Sequence, residues 1–242
     1  MVFSRSPPSI EISVNATMSA ERISPIVPVM TFSIPTRIVL GISTPILLVV
    51  PAVGAVLSAH ASPPAIDVWW RSVVVGSRTE PLTKIAHVLD EWGANGLGFG
   101  VIPALIVGAM LLTRRARAIP GLLVAGLASL GLVQALKPIV DRARPDDMLT
   151  ISDVGSFPSG HVANVATLGV FVALVYKRLW VSVLAVGYVV LMAWSRTYLS
   201  AHWLSDTIAG ALWGAALAAV VFTAGSAIAD RQATRRPLKA SH

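Results

Sequence analysis

The chain of 242 residues contains no cysteine, which excludes disulfides and thiolate metal sites outright. Charge is scarce too. Asp, Glu, Lys and Arg make up 13% of the residues, about half the share found in an average soluble domain. Hydrophobic residues reach 55%, more than a water-soluble core of this length needs, so the class indicated is an integral membrane protein with a single membrane domain. The net charge of +7 suggests nucleic acid as a partner until the distribution is considered. The basic residues stand between apolar segments and at the chain ends, which is the pattern membrane topology demands.

What is present is a succession of apolar runs. Residues 1–36 are rich in Ser, Pro, Thr and Ile without a sustained period and read as a weakly structured leader. Met1, Met18 and Met30 are alternative starts, and the sequon at Asn15 is a short motif of the kind that arises by chance. Six runs follow, at residues 38–57, 96–112, 119–136, 161–176, 179–194 and 203–228. A span needs about 20 residues, with about 17 as the lower limit, so the fourth and fifth need flanking residues to complete them. The expected fold is all-α, a six-transmembrane-helix bundle over residues 37–229, followed by a basic cytoplasmic tail at 230–242. Ala59-His60-Ala61 resembles a signal-peptide cleavage site, but the run before it exceeds the usual h-region and reads as an uncleaved anchor. Between the first two runs, the stretches from Ile66 and from Leu82 mix apolar and charged positions. With Trp69, Trp70 and Trp92 they suit short interfacial helices at the headgroup level.

Orientation follows from the basic residues. With the N-terminus inside, one side collects Arg5, Arg22, Arg37, Arg114, Arg115, Arg117, Lys177, Arg178, Arg231, Arg235, Arg236 and Lys239, which is 12 of the 19. The positive-inside rule then puts both termini in the cytoplasm. The other face receives three polar islands: Lys137 to Pro145, Pro158 to His161, and Ser195-Arg196 followed by His202 and Asp206.

Each island has a bland reading and a functional one. Lys137 and Arg144 stand seven apart, two turns on one face of a continuing helix, with Pro145 ending the element at Arg144. Alone they would be snorkelling anchors. Ser159 and Gly160 open the fourth run, where Ser159 caps the helix and unpaired N–H groups with the dipole behind them attract an anion. His202 and Asp206, at i and i+4, share one helical face. A carboxylate there can accept from one imidazole nitrogen and leave the other free to attack. Arg196 can fork onto phosphate oxygens. Ionisable groups bordering the membrane are expensive, and three such islands on one side point to a shared task.

The pattern Lys-x6-Arg-Pro, Pro-Ser-Gly-His and Ser-Arg-x5-His-x3-Asp, complete and in order from Lys137 to Asp206, resembles the three-part signature of the phosphatidic acid phosphatase type 2 / haloperoxidase superfamily, in its integral-membrane lipid phosphatase branch. The resemblance implies His202 as nucleophile through a phosphohistidine, Asp206 as its orienting group, and His161 as general acid and then base. It implies Lys137, Arg144, Ser159, Gly160 and Arg196 as phosphate ligands. Fixed cations can position a phosphoryl group and stabilise its charge, so neither a metal nor another cofactor is required. The variable positions Asp141 and Arg142 receive no catalytic role. The soluble haloperoxidases carry the same signature without membrane runs, and a non-enzymatic lipid-binding or carrier protein would not need the intact histidine pair. The expected activity is therefore hydrolysis of a lipid phosphate or diphosphate at the outer face, with undecaprenyl diphosphate as the leading substrate and phosphatidate or phosphatidylglycerol phosphate as the alternative. Nothing in the sequence indicates an oligomeric state.

Overall fold

A computed structural model describes residues 36–60, 62–93, 97–151 and 155–235. The leader up to residue 35, its alternative starts, the Asn15 sequon and residues 236–242 of the tail lie outside the described residues. Among the described residues every regular element is helical: α1 (Thr36–Ala59), α2 (Ala65–Gly76), α3 (Glu80–Gly93), a π-turn (Leu97–Val101) running into α4 (Ile102–Leu112), a 3₁₀ turn (Ala116–Ala118), α5 (Ile119–Val140), α6 (Gly160–Tyr176), α7 (Leu179–Tyr198) and α8 (Leu204–Arg235).

The six-span expectation is only partly met. Four helices are long and apolar enough to cross a bilayer: α1, α5 with its preceding turn, α7 and α8. The second run does not make a helix by itself. It splits into the π-turn and an α4 of 11 residues, and only α3 and α4 together, across a 47° bend, meet the requirement for a fifth. Of the two helices expected at the headgroup level, α3 thus runs on into a membrane-length pair. α6 has 17 residues, about 25 Å of helix against a hydrocarbon core of about 30 Å. It tolerates this because its neighbours are protein. Residues Val162 to Leu168 are buried without interruption, as expected for a helix that is apolar all round and enclosed by α5, α7 and α8.

The α6–α8 contact brings two backbones together. A Cβ at Gly210 would stand 2.6 Å from the Ser159 carbonyl oxygen, and one at Gly214 would stand 2.2 Å from that of Ala163. Glycines four apart present one groove on α8, which is how small residues let membrane helices approach closely.

Connections are short where the chain reverses on the basic side, with Lys177 and Arg178 alone joining α6 to α7. The C-terminal ends of α5 and α7 therefore meet the N-terminal ends of α6 and α8 at one end of the bundle. A clamp fastens the α5–α6 connection there. Arg71 and Arg78 pair with the two oxygens of Asp147 at 2.6 and 2.8 Å, and Arg78 also donates to the Tyr198 carbonyl and the Ser200 hydroxyl. Burial opposes the charge on Asp147, but hydrogen bonds from Arg71 and Ser200 and the two guanidinium charges hold its carboxyl below the usual range. Trp70 Nε1 donates to Thr197 Oγ1 at 2.9 Å, while Trp69 and Trp92 stay exposed.

Candidate active site

The end of α5 differs from the sequence reading. The helix stops at Val140, before Arg144, and Asp141 takes a left-handed conformation (φ 44°) with its N–H on the Lys137 carbonyl at 2.8 Å. Pro138 lacks the N–H that would bond back one turn, which weakens the final turn. Lys137 and Arg144 therefore do not share a helical face. They converge because the chain turns back after Asp141.

Lys137, Arg144, Gly160, His161, Arg196 and His202 line one cavity of about 410 Å³. Lys137 is buried rather than snorkelling, and Arg196 is buried as well. Arg144 donates to the carbonyls of Ala201 and Gly155, which aims its guanidinium at the cavity, with Nη1 3.5 Å from His202 Nε2. Ser159 and Asp206 stand behind the lining. The Ser159 hydroxyl makes no capping bond and is buried without a partner, next to Gly160 at the start of α6.

His202 is 3% exposed in the connection between α7 and α8. Its Nδ1 lies 2.6 Å from the Ser156 carbonyl oxygen and 3.6 Å from Asp206 Oδ2. The nearer acceptor is thus a backbone carbonyl. It fixes the tautomer with the proton on Nδ1 and leaves the Nε2 lone pair toward the cavity. Burial, reinforced by Arg144, Arg196, Lys137 and His161, holds the imidazole well below its ordinary range, so it is neutral at pH 7.

Asp206 does more than face His202. Its Oδ2 accepts the Trp203 N–H at 2.9 Å and its Oδ1 pairs with Arg142. Arg142, 5% exposed, also reaches Asp67 on α2 at 2.8 Å and the Ser205 hydroxyl at 2.8 Å. Asp67 in turn accepts the Ser205 N–H at 2.8 Å. This chain, Asp67–Arg142–Asp206, holds the start of α8, and sequence reasoning missed it. The one signal was a carboxylate and an arginine where apolar segments meet. Asp90 on α3 was missed as well. It pairs with Arg196 and lies 2.9 Å from His161 Nε2.

Residues 120–228, which hold all three islands, match the PAP2 superfamily. The match covers 109 of the 242 residues, just under half of the chain. The fold agrees with the transmembrane PAP2-type phosphatidylglycerolphosphate phosphatase from Bacillus subtilis, at a TM-score of 0.66 and 22% identity over 82% of this chain and 99% of that one. It also agrees with Aquifex aeolicus LpxE, at a TM-score of 0.57 and 22% identity over 65% of this chain and 95% of that one. A curated relative, the lipid A 4'-phosphatase of Bacteroides thetaiotaomicron, is 31% identical over 91 residues, 33% of this chain and 40% of that protein. The chain thus spans less than half the length of the curated relative it matches. The PAP2 fold and the apolar helices make this a multi-pass membrane protein.

Proposed function

We propose that the protein is a lipid phosphatase that works through a phosphohistidine on His202 without a metal. The observation that carries the reading is the convergence of both histidines with Lys137, Arg144 and Arg196 on one cavity. In the first step His202 Nε2 bonds to phosphorus as the bond from phosphorus to the leaving oxygen breaks, and His161 gives that oxygen its proton. In the second, water attacks phosphorus, returns a proton to His161, and the N–P bond breaks to release phosphate. Lys137, Arg144, Arg196, the Ser159 hydroxyl and the Gly160 N–H hold the non-bridging oxygens, whose charge the cations stabilise.

A neighbouring groove supports a lipid substrate. Asn164 lines both the catalytic cavity and an apolar groove of about 570 Å³ between α4, α6 and α7, walled by Ile102, Ile106, Leu168, Val172 and Leu184 and ending near Tyr176. From Asn164 to Tyr176 α6 rises about 18 Å, more than one leaflet's depth of about 15 Å. That length accommodates a lipid tail of either kind, and undecaprenyl diphosphate is the substrate we put first. The relatives favour a second reading, a lipid phosphate monoester such as phosphatidylglycerol phosphate or phosphatidate. Purified protein in one detergent should give its highest kcat/KM on undecaprenyl diphosphate, lower values on phosphatidate, and poor turnover of a soluble phosphate ester. Orthovanadate should inhibit and chelators should not. A tenfold preference for phosphatidate, about 1.4 kcal/mol of transition-state preference, would replace the first substrate with the second. Loss of all activity with EDTA, restored by a divalent metal, would refute the mechanism.

We place the site on the outer face and both termini in the cytoplasm, on the basic asymmetry of the sequence. A single cysteine at Met148, 40% exposed at this end of the bundle, should react with an impermeant maleimide added to intact cells. The chain has no native thiol to compete. Labelling only after lysis would invert the topology.

A further inference from the structure

Asp90 lies outside residues 120–228 and belongs to none of the three islands. It is 8% exposed. Its Oδ1 pairs with Arg196 Nη1 and is 2.9 Å from His161 Nε2, while Oδ2 accepts the Thr150 hydroxyl at 2.8 Å. One carboxylate on α3 thus joins α6, α7 and the α5–α6 connection. The His161 ring is wedged against the same helix, since a Cβ at Gly93 would stand 2.8 Å from its Cδ2. Nε2 is buried at this contact although the side chain keeps 19% exposure. Nδ1 is then the nitrogen left to carry a proton to the cavity.

The other charged or titratable groups lining the cavity with His161 are Lys137 from α5, Arg144 from the α5–α6 connection, Arg196 from α7 and His202 ahead of α8. A cavity this rich in cations suits a phosphate but opposes a protonated imidazole. Among the described residues Asp90 is the carboxylate within ion-pair distance of His161. We infer that Asp90 is a positioning residue that favours the protonated form of His161 in its task as leaving-group acid and shares its oxygen with Arg196 so that this guanidinium stays aimed at the phosphate. The inference rests on the phosphatase reading above.

The test compares kcat/KM of the wild-type, D90N, D90E and T150V proteins on a long-chain alkyl phosphate and on 4-nitrophenyl phosphate in one detergent. Any effect through Arg196 touches the phosphate common to both substrates, so their ratio isolates His161. An alkoxide needs the acid and a nitrophenolate departs without it. D90N should therefore lose about 100-fold or more on the alkyl phosphate and stay within about threefold on the aryl one. The alkaline fall of its kcat/KM on the alkyl phosphate should move to lower pH, and D90E should restore part of both. T150V removes the hydrogen bond that steadies Oδ2 and should shift the ratio the same way by less, which keeps the test open if D90N does not fold. Equal losses on the two substrates, or an unshifted alkaline fall, would overturn the inference alone. No wild-type turnover of either ester or of undecaprenyl diphosphate would overturn the phosphatase reading and the inference together.

Discussion

Replacing His202 with alanine should lower turnover by about 10⁴-fold or more, because the nucleophile of a two-step transfer has no substitute in the cavity. Asp206→Asn should cost far less, about 10- to 100-fold, the usual scale for a group that acts through another. The Ser156 carbonyl at 2.6 Å already fixes the His202 tautomer, and asparagine keeps an acceptor for the Trp203 N–H. Rates from rapid quench on purified variants, with acid-labile phosphoenzyme as the second readout, decide between them. Full activity in H202A would end the mechanism, and equal losses in the two variants would make Asp206 the true orienter. The His202 shift adds a pH dependence with a definite sign. Its folded pKa lies below its ordinary 6.5, so the imidazole stays neutral as pH falls past that point while the unfolded chain takes up a proton. The group's contribution to stability is therefore whole above pH 6.5 and declines as pH drops toward the folded pKa. Between pH 7.5 and 5.5 the wild type should lose more thermal stability than H202A.

Arg142→Leu should destabilise the fold by about 3–5 kcal/mol, because it leaves buried carboxylates without their counter-charge. Asp67 and Asp206 are 1% and 0% exposed, and both pair with this one guanidinium. Arg142→Lys retains the charge but lacks the fork that reaches two carboxylates and the Ser205 hydroxyl, so an intermediate loss is expected. Thermal unfolding in detergent measures both. Asp67→Asn combined with Arg142→Leu should lose less than the sum of the two single changes, since each removes the same interaction. An Arg142→Leu protein as stable as wild type would mean the chain does not hold the start of α8.

The sequence carried the residues that line the cavity because phosphate chemistry needs charge, and charge stands out in a chain that is 13% charged. Helix starts were clear for the same reason. The runs beginning at 119, 161 and 179 start within a residue of α5, α6 and α7. Helix ends were not. α5 and α7 run four residues past their apolar runs because Lys137 and Arg196 can lie in a helix whose polar end faces a cavity. The span count is met only in part where hydropathy and helix length part company, at the bend between α3 and α4 and in the enclosed α6. The supporting carboxylates Asp67 and Asp90 were invisible because their partners are 75 and 106 residues away. A linear motif records what meets the phosphate and says nothing of what meets the motif.

The abutting backbones of α6 and α8 set the axial stagger of the two helices in discrete steps. Gly210 and Gly214 face the carbonyls of Ser159 and Ala163, and a slide of four residues, about 6 Å, would set the Cβ of Asp206 or Ala218 against one of those oxygens. Only the observed stagger leaves glycine under both carbonyls. A displacement of that size would carry His202 out of reach of a phosphate held at the start of α6. Piston-like motion between these helices is therefore closed to the protein, and whatever breathing admits a substrate has to come from the walls that carry no histidine.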